Sequence, residues 1–139
     1  MNATIRRLAA SLTCATALPS VLAQERVEVF QLSTQLLRGT GTATVYHVDG
    51  MERMTTALSA GLPSDPIQAE AVARRRFEAL TDTDRQALGA SAQGLTAAMQ
   101  YRLTKSPAIV FDGAAIVYGV ENVDQARAIY RTWRARGGR

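Results

Sequence analysis

Serine and histidine side chains at three positions could supply nucleophilic catalysis. His47 is the only histidine of the chain, so it would have to act as the general base for Ser33 or Ser106. The chain has no Gly-x-Ser-x-Gly motif and no convincing set of partner residues. A hydrolase that uses Ser33 or Ser106 with His47 therefore stays open as an alternative, and a partly exposed strand histidine is the favoured interpretation.

Residues 1–23 have the pattern of a secretory signal peptide. Two arginines precede the run Leu8–Leu22, which is apolar or small throughout, and Ala23 ends the segment with a small side chain. This pattern predicts export to the periplasm, with cleavage between Ala23 and Gln24. The run is too short for a comfortable membrane span, which requires about 20 apolar residues.

The cysteine count limits the chemistry of the mature protein. Cys14 is the only cysteine and lies in the predicted signal peptide, so residues 24–139 form a cysteine-free chain of a length that suits one domain. Thiol–disulfide exchange, disulfides and cysteine-ligated metals are excluded for it. A zinc site usually needs several Cys or His ligands, which His47 alone cannot provide. We expect no metal, no cofactor and no catalytic residue.

The basic residues fall into two groups. The net charge is +4, and loss of the two signal-peptide arginines lowers it to +2, which does not indicate a nucleic-acid binder. Arg74–Arg76 forms one group. The C-terminal group predicts a solvated helix end, with a membrane-surface scaffold as the alternative. Its members are Arg131, Arg134, Arg136 and Arg139.

Apolar periodicity predicts four strands, and local start signals predict four helices. The strands are expected at 27–32, 43–48, 108–111 and 114–118, with a short helical turn possible at 35–37. Asp112-Gly113 is a favoured two-residue hairpin turn. The helices are expected to begin at an Asp49/Glu52 capping box, at Asp65-Pro66, at Thr83 and at Asn122.

Apolar stripes predict which faces of the later helices are buried. The third helix is expected to bury Leu88, Ala92, Leu95, Met99 and Leu103, with Gly94 as a weak point. For the last helix the predicted stripe is Val123, Ala126, Ile129, Tyr130 and Trp133.

This order of elements predicts an α/β fold, with a mixed central sheet of about four strands flanked by helices. It resembles the thioredoxin-like fold. The resemblance implies a cis bond between Ser106 and Pro107, and it places Ser33 and Thr34 where redox relatives carry their cysteines. A cap for a short helical turn is the favoured role of these two hydroxyls. The resemblance also implies a groove for an extended peptide, with binding residues Ser33, Thr34, Ser106 and Pro107.

A further resemblance is carried by Val27–Phe30, Val45–Asp49, Gly61–Pro63, Asp65-Pro66, Ser106–Gly113 and Val117–Val120. Through these segments, over about residues 27–128, the sequence resembles a family of small periplasmic proteins encoded by integrating conjugative elements. This resemblance implies a cysteine-free relative of the thioredoxin-like pilus-assembly proteins of F-type conjugation systems. The role it implies is that of a non-catalytic accessory protein in type IV secretion. Its partners would be protein components of the apparatus, without direct nucleic-acid contact.

Overall fold

A computed structural model describes residues 25–138 of the chain. The predicted signal peptide 1–23, with Cys14 and the proposed cleavage position, lies outside the described residues, and so does Arg139. Within residues 25–138 the chain forms four strands and four helices. The strands are β1 (Val27–Gln31), β2 (Thr44–His47), β3 (Ala108–Phe111) and β4 (Ala115–Tyr118). The helices are α1 (Gly50–Ser59), α2 (Pro66–Glu78), α3 (Asp82–Gln100) and α4 (Val123–Ala135).

The four strands form one mixed sheet in the order β2-β1-β3-β4. β1 pairs parallel with β2, whereas β3 pairs antiparallel with both β1 and β4. This confirms the predicted α/β class with a mixed four-stranded sheet and flanking helices, and the order is compatible with a thioredoxin-like arrangement. The segment between β1 and β2 contains no helix, so the helical turn considered at 35–37 does not form.

Each face of the sheet carries its own hydrophobic cluster. On one face, Val29, Ile109 and Phe111 pack against α4 through Val123 and Tyr130. On the other, Phe30, Ala108 and Val110 pack with partly buried residues that include Tyr46 of β2 and Ala97 of α3. β1 and β3 are therefore covered on both faces, which is why the run Ala108–Phe111 is continuously apolar.

Local signals predict some helix starts correctly and misplace others. Asp65 caps α2 by accepting from the N–H of Gln68 at 2.9 Å, with Pro66 at the first helical position. Asn122 caps α4 in the same way, accepting from the N–H of Asp124 at 2.8 Å. The start predicted at Thr83 is wrong: Thr81 caps α3 and forms a reciprocal capping box with Asp84.

The buried face of α3 differs from the predicted stripe. Ser91 and Gly94 are buried, whereas Leu95 and Met99 are exposed. A Cβ atom added at Gly94 would lie 2.6 Å from Cβ of Tyr46, so a larger residue would push the helix away from β2. Small residues thus face the sheet because close contact with Tyr46 leaves no room for leucine. Gly94 is a requirement of this packing rather than a weak point.

The β3–β4 hairpin turns at Asp112-Gly113 as predicted, but its loop has three residues and not two, because the register pairs Phe111 with Ala115. Asp112 and Gly113 nevertheless both have positive φ, +53° and +69°, which is the backbone that the tightest two-residue turns require. The Ser106–Pro107 peptide bond that precedes β3 is cis. The expectation drawn from the thioredoxin-like resemblance is therefore confirmed for this bond.

Candidate docking site around Gln35 and Ser106

The amide of Gln35 joins the two segments predicted to form a binding site. Its Oε1 accepts from the N–H of Leu32 at 2.9 Å and from the hydroxyl of Ser106 at 2.7 Å. The turn after β1 is closed by a hydrogen bond from the N–H of Gln35 to the C=O of Leu32 at 2.9 Å. The segment that contains Ser33 and Thr34 is thereby fixed beside Ser106 and Pro107, as the predicted grouping requires.

The backbone of Ser106 is the open part of this site. The C=O of Pro107 accepts from the N–H of Gly119 at 3.1 Å, so pairing between β3 and β4 begins immediately after Ser106. Within residues 25–138, neither the N–H nor the C=O of Ser106 has a hydrogen-bond partner, and the residue is exposed. An unpaired, solvent-facing peptide group next to a strand can pair with the backbone of an extended ligand.

Ser33 holds α1 in place and does not cap a turn. Its N–H and its hydroxyl both donate to Oδ1 of Asp49, at 2.9 and 2.8 Å. Asp49 is the residue before α1, and its side chain makes no cap to that helix, so the predicted Asp49/Glu52 capping box is wrong. Partial burial opposes ionisation, but the hydrogen bonds from Ser33 hold the pKa of Asp49 below its ordinary value.

Thr34 lies exposed in the same turn, next to Ser33. Its hydroxyl makes no hydrogen bond with any other part of the described chain. The helix cap proposed for this position does not form, since the turn is not followed by a helix. The exposed Thr34 hydroxyl is thus accessible to a ligand that binds at this turn.

The serines are not arranged for nucleophilic catalysis. The hydroxyl hydrogen of Ser33 is donated to Asp49, and that of Ser106 is donated to Gln35. A hydroxyl carries one hydrogen, so neither serine donates to His47 in this arrangement. A Ser–His pair requires that hydrogen bond at about 2.6–3.2 Å. The geometry therefore does not favour the hydrolase alternative.

A cavity of about 390 Å³ opens beside Ser33, between β2, α1 and α3. Its walls are mostly apolar, with Arg53 as the charged residue and His47 at the exposed end of β2. Gly50 lies so close to Ser91 that a Cβ added there would be 2.8 Å from Cβ of Ser91. Because Ser33 and His47 both line this cavity, it extends from the turn after β1 to the end of β2.

A second polar cluster lies at the opposite end of β3, around Asp112. Its Oδ1 accepts from the N–H of Arg26 at 2.9 Å, and its Oδ2 accepts from the hydroxyl of Tyr130 at 2.7 Å. Arg134 lies 3.6 Å from the same carboxylate. The hydrogen bond from the Tyr130 hydroxyl, followed in size by the one from the N–H of Arg26, lowers the pKa of Asp112. The hydrogen bond between Tyr130 and Asp112 also raises the pKa of Tyr130. This turn residue thus also ties β1 and α4 to the hairpin.

Most of the basic residues have structural partners. Arg76 donates to the C=O groups of Leu58 and Ala60, at 2.8 and 2.7 Å, and so satisfies the C-terminal end of α1. Arg74 pairs with Glu70 one helical turn away. Arg131 and Arg134 pair with Glu25 and Asp112, at 3.8 and 3.6 Å. Arg131 and Arg134 nevertheless remain 70 % and 62 % exposed, so these contacts do not test the alternative of a membrane-surface scaffold.

Two further observations concern the described residues 25–138. No helix there is both long and apolar enough to cross a membrane. The same part of the chain has no group of three or more His, Cys, Asp or Glu side chains that could hold a metal ion.

The sequence did not predict a role for Gln35, although it predicted the neighbouring Thr34 and the hydrogen-bond partner Ser106 as site residues. The hydrogen bond from Ser106 spans 71 positions along the chain. No local pattern marks such a glutamine, because its role depends on the register between β1 and β3. Asp49 could be singled out as a carboxylate before a helix, but this pattern predicted a cap to α1, whereas the carboxylate accepts from Ser33.

Residues 25–138 form an α/β protein with a four-stranded mixed sheet and four helices, and its candidate site is a group of polar residues at one end of the sheet. The chain belongs to the family described as "Protein of unknown function (DUF1525)", whose model matches residues 24–136. Comparison with curated proteins and with solved structures gave no significant match.

Proposed function

We propose that this protein is a non-catalytic accessory protein of a conjugative type IV secretion system encoded on an integrating conjugative element. It acts in the periplasm by binding an extended segment of another protein of the apparatus. The observation that carries the proposal is the unpaired backbone of Ser106 beside the Gln35 bridge.

The chemistry of the site suits a peptide backbone. An extended peptide that pairs with Ser106 gains main-chain hydrogen bonds, and side-chain pockets then supply specificity. The cavity between β2, α1 and α3 offers such a pocket, with an apolar wall and the guanidinium of Arg53. Thr34 and the amide of Gln35 lie between the two and can contact the same ligand.

Two further observations are compatible with the wider assignment, which itself rests on the resemblance of the sequence segments. The strand order β2-β1-β3-β4 is compatible with the thioredoxin-like fold that this resemblance implies. The family match begins at residue 24, next to the predicted cleavage position, and so coincides with the expected mature protein.

Site-specific photo-crosslinking in donor cells tests the proposal. A photoreactive residue placed at Ser106 should trap a defined envelope protein of the transfer apparatus. The same residue at Ile67, which is 80 % exposed on α2, serves as the matched control. Trapping at both positions alike, or trapping of proteins unrelated to transfer, would count against a specific docking site.

A deletion strain tests the biological role independently of the site. Loss of the gene should lower the transfer frequency of its element, and the intact gene supplied elsewhere should restore it. Transfer at the normal rate in the deletion strain would refute a role in conjugation, whatever the crosslinking shows.

A further inference from the structure

β4 is a short, open sheet edge without the charged residues or prolines that often block strand pairing. Ala115–Tyr118 carries no charge and no proline. Ile116 and Tyr118 are 37 % and 36 % exposed. Edge strands of soluble proteins are normally protected by charges, prolines, bulges or a covering segment. An apolar edge of this kind marks a contact surface.

The ladder fixes which backbone groups of β4 point outward. Gly119 donates its N–H to the C=O of Pro107, and the register places Ile109 opposite Val117. Because hydrogen-bonded positions alternate in an antiparallel pair, the groups of Val117 point to β3, and those of Ile116 and Tyr118 point away from it. In the part of the chain that the structure describes, no strand pairs with these outward groups.

α4 continues the same surface above the edge. Ile129 and Trp133 belong to the predicted core stripe, but they are 46 % and 38 % exposed. Together with Ala115 and Val117 they line a cavity of about 330 Å³. On the outer flank of the helix, the same two residues and Arg136 line a groove of about 440 Å³. The predicted stripe is therefore divided: Val123, Ala126 and Tyr130 are buried against the sheet, whereas Ile129 and Trp133 extend the apolar surface outward over β4.

We propose that two copies of this chain pair through β4 about a two-fold axis at Val117, joining their sheets into one continuous sheet. In this register Ile116 lies opposite Tyr118 of the second copy. Their outward N–H and C=O groups then bond in both directions, and the aromatic and β-branched side chains form favourable cross-strand pairs. Val117 lies opposite Val117 of the second copy as a non-hydrogen-bonded pair.

The same axis places the two copies of α4 side by side and antiparallel. α4 packs over β3 and β4. With strands about 4.8 Å apart, the two helix axes then lie about 10 Å apart, which is a normal packing distance for helices. The exposed Ile129 and Trp133 side chains fill the space between them.

Charge complementarity favours a second copy as the occupant of this edge. The C-terminal end of α4 carries Arg136, and the segment before its N-terminus carries Glu121. Neither residue has an ion-pair partner within residues 25–138. In the antiparallel arrangement, Arg136 of one copy lies at the level of Glu121 of the other. The two-fold axis repeats this pair, as an isologous interface requires.

Cysteine crosslinking tests the register. Across a non-hydrogen-bonded antiparallel pair the Cα atoms are about 4.5 Å apart, which is within the range for a disulfide. In a Cys14→Ser background, the full chain with Val117→Cys should form a covalent dimer on mild oxidation. The Ile67→Cys control, on the exposed face of α2, should form no covalent dimer under the same conditions. Equal crosslinking of both variants, or none at position 117, would overturn the register.

A charge exchange tests the occupant. The full chain should sediment as a dimer, and Arg136→Glu or Glu121→Arg should each raise the dimer Kd by about tenfold or more through like-charge repulsion. The double exchange, Glu121→Arg with Arg136→Glu, should recover the original Kd within about threefold. A chain that stays monomeric up to about 1 mM, or a double variant no better than the single ones, refutes the interface. Either result leaves the docking proposal for Ser106 untouched.

Discussion

The polar groups at the two ends of β3 differ in how fully they are hydrogen-bonded. At the Asp112 end the carboxylate accepts from the backbone of Arg26 and from Tyr130, and Arg134 lies beside it. At the Ser106 end one amide, that of Gln35, holds two segments together, while the backbone of Ser106 is left unpaired.

We infer from this difference that the Asp112 end contributes to stability and that the Gln35 end contributes to binding. Polar groups that satisfy each other contribute modestly to folding, whereas a group left unpaired and exposed contributes nothing but can bond to a ligand. We therefore expect changes at the Asp112 end to alter the free energy of unfolding. Changes at the Gln35 end should alter partner capture with little effect on folding.

The largest effect is expected from Phe111→Ala at the Asp112 end. Phe111 is fully buried and stacks on Tyr130 with ring centroids 4.7 Å apart. Removing a buried aromatic ring typically costs about 3–5 kcal/mol of unfolding free energy. Urea denaturation measures this, with Ile67→Ala as the exposed control. A loss below about 1 kcal/mol would show that this end is not the more strongly packed one.

A smaller loss is expected from Asp112→Ala, which removes both acceptors of the cluster. We expect a loss of about 1–2 kcal/mol in unfolding free energy, because the carboxylate is partly exposed and its hydrogen bonds are partly screened. Asp112→Asn is the matched control, since asparagine tolerates the positive φ and keeps one acceptor. Equal losses in the two variants would mean that loss of the carboxylate charge, which both share, determines the effect, and that the turn preference and the remaining acceptor contribute little.

The pH dependence of stability sharpens the same comparison. The hydrogen bonds from Tyr130 and Arg26 lower the pKa of Asp112 in the folded protein. Its contribution is therefore present above the unfolded pKa of about 3.9, and it is lost as the pH falls through the lower folded value. Unfolding free energies measured between pH 6 and pH 2.5 should fall less steeply in Asp112→Asn than in the native chain. Parallel curves would contradict this assignment.

The smallest stability effect is expected from Gln35→Ala at the other end. The bridge lies on the exposed side of the site, so its loss should cost about 1 kcal/mol or less. Photo-crosslinking from Ser106 should nevertheless fall strongly, because the turn that carries Thr34 is released. Leu36→Ala, at a neighbouring residue that is 87 % exposed, is the control for both measurements. Undiminished capture in Gln35→Ala would break the proposed separation of roles.

Features that depend on neighbouring residues of the chain could be predicted from the sequence. The Asp65-Pro66 and Asn122 helix starts and the Asp112-Gly113 turn depend on side chains that act within a few positions. The four-stranded mixed sheet follows from the order of such elements. The grouping of Ser33 with Ser106 came from family resemblance, since no local pattern connects them.

Features that depend on long-range contacts could not be predicted. Asp49 accepts a hydrogen bond from Ser33 instead of capping α1. Gly94 faces the sheet because the nearby Tyr46 leaves no space for a larger side chain. In both cases a tertiary contact overrides the local preference of the sequence. The burial of Gln31 is a further feature that the sequence does not predict. This residue is buried at the end of β1, and its Oε1 has no partner among the described residues.

The Gln35 bridge also fixes the polarity of the site. Oε1 accepts from Leu32 and from Ser106, and these two bonds use both of its lone pairs. Rotating the amide by half a turn would set its NH₂ group against the N–H of Leu32, so the amide has one permitted orientation. That orientation leaves the NH₂ group as a donor, free of partners elsewhere in residues 25–138. At this point the site selects for carbonyl or carboxylate oxygens and disfavours a ligand that presents only N–H groups.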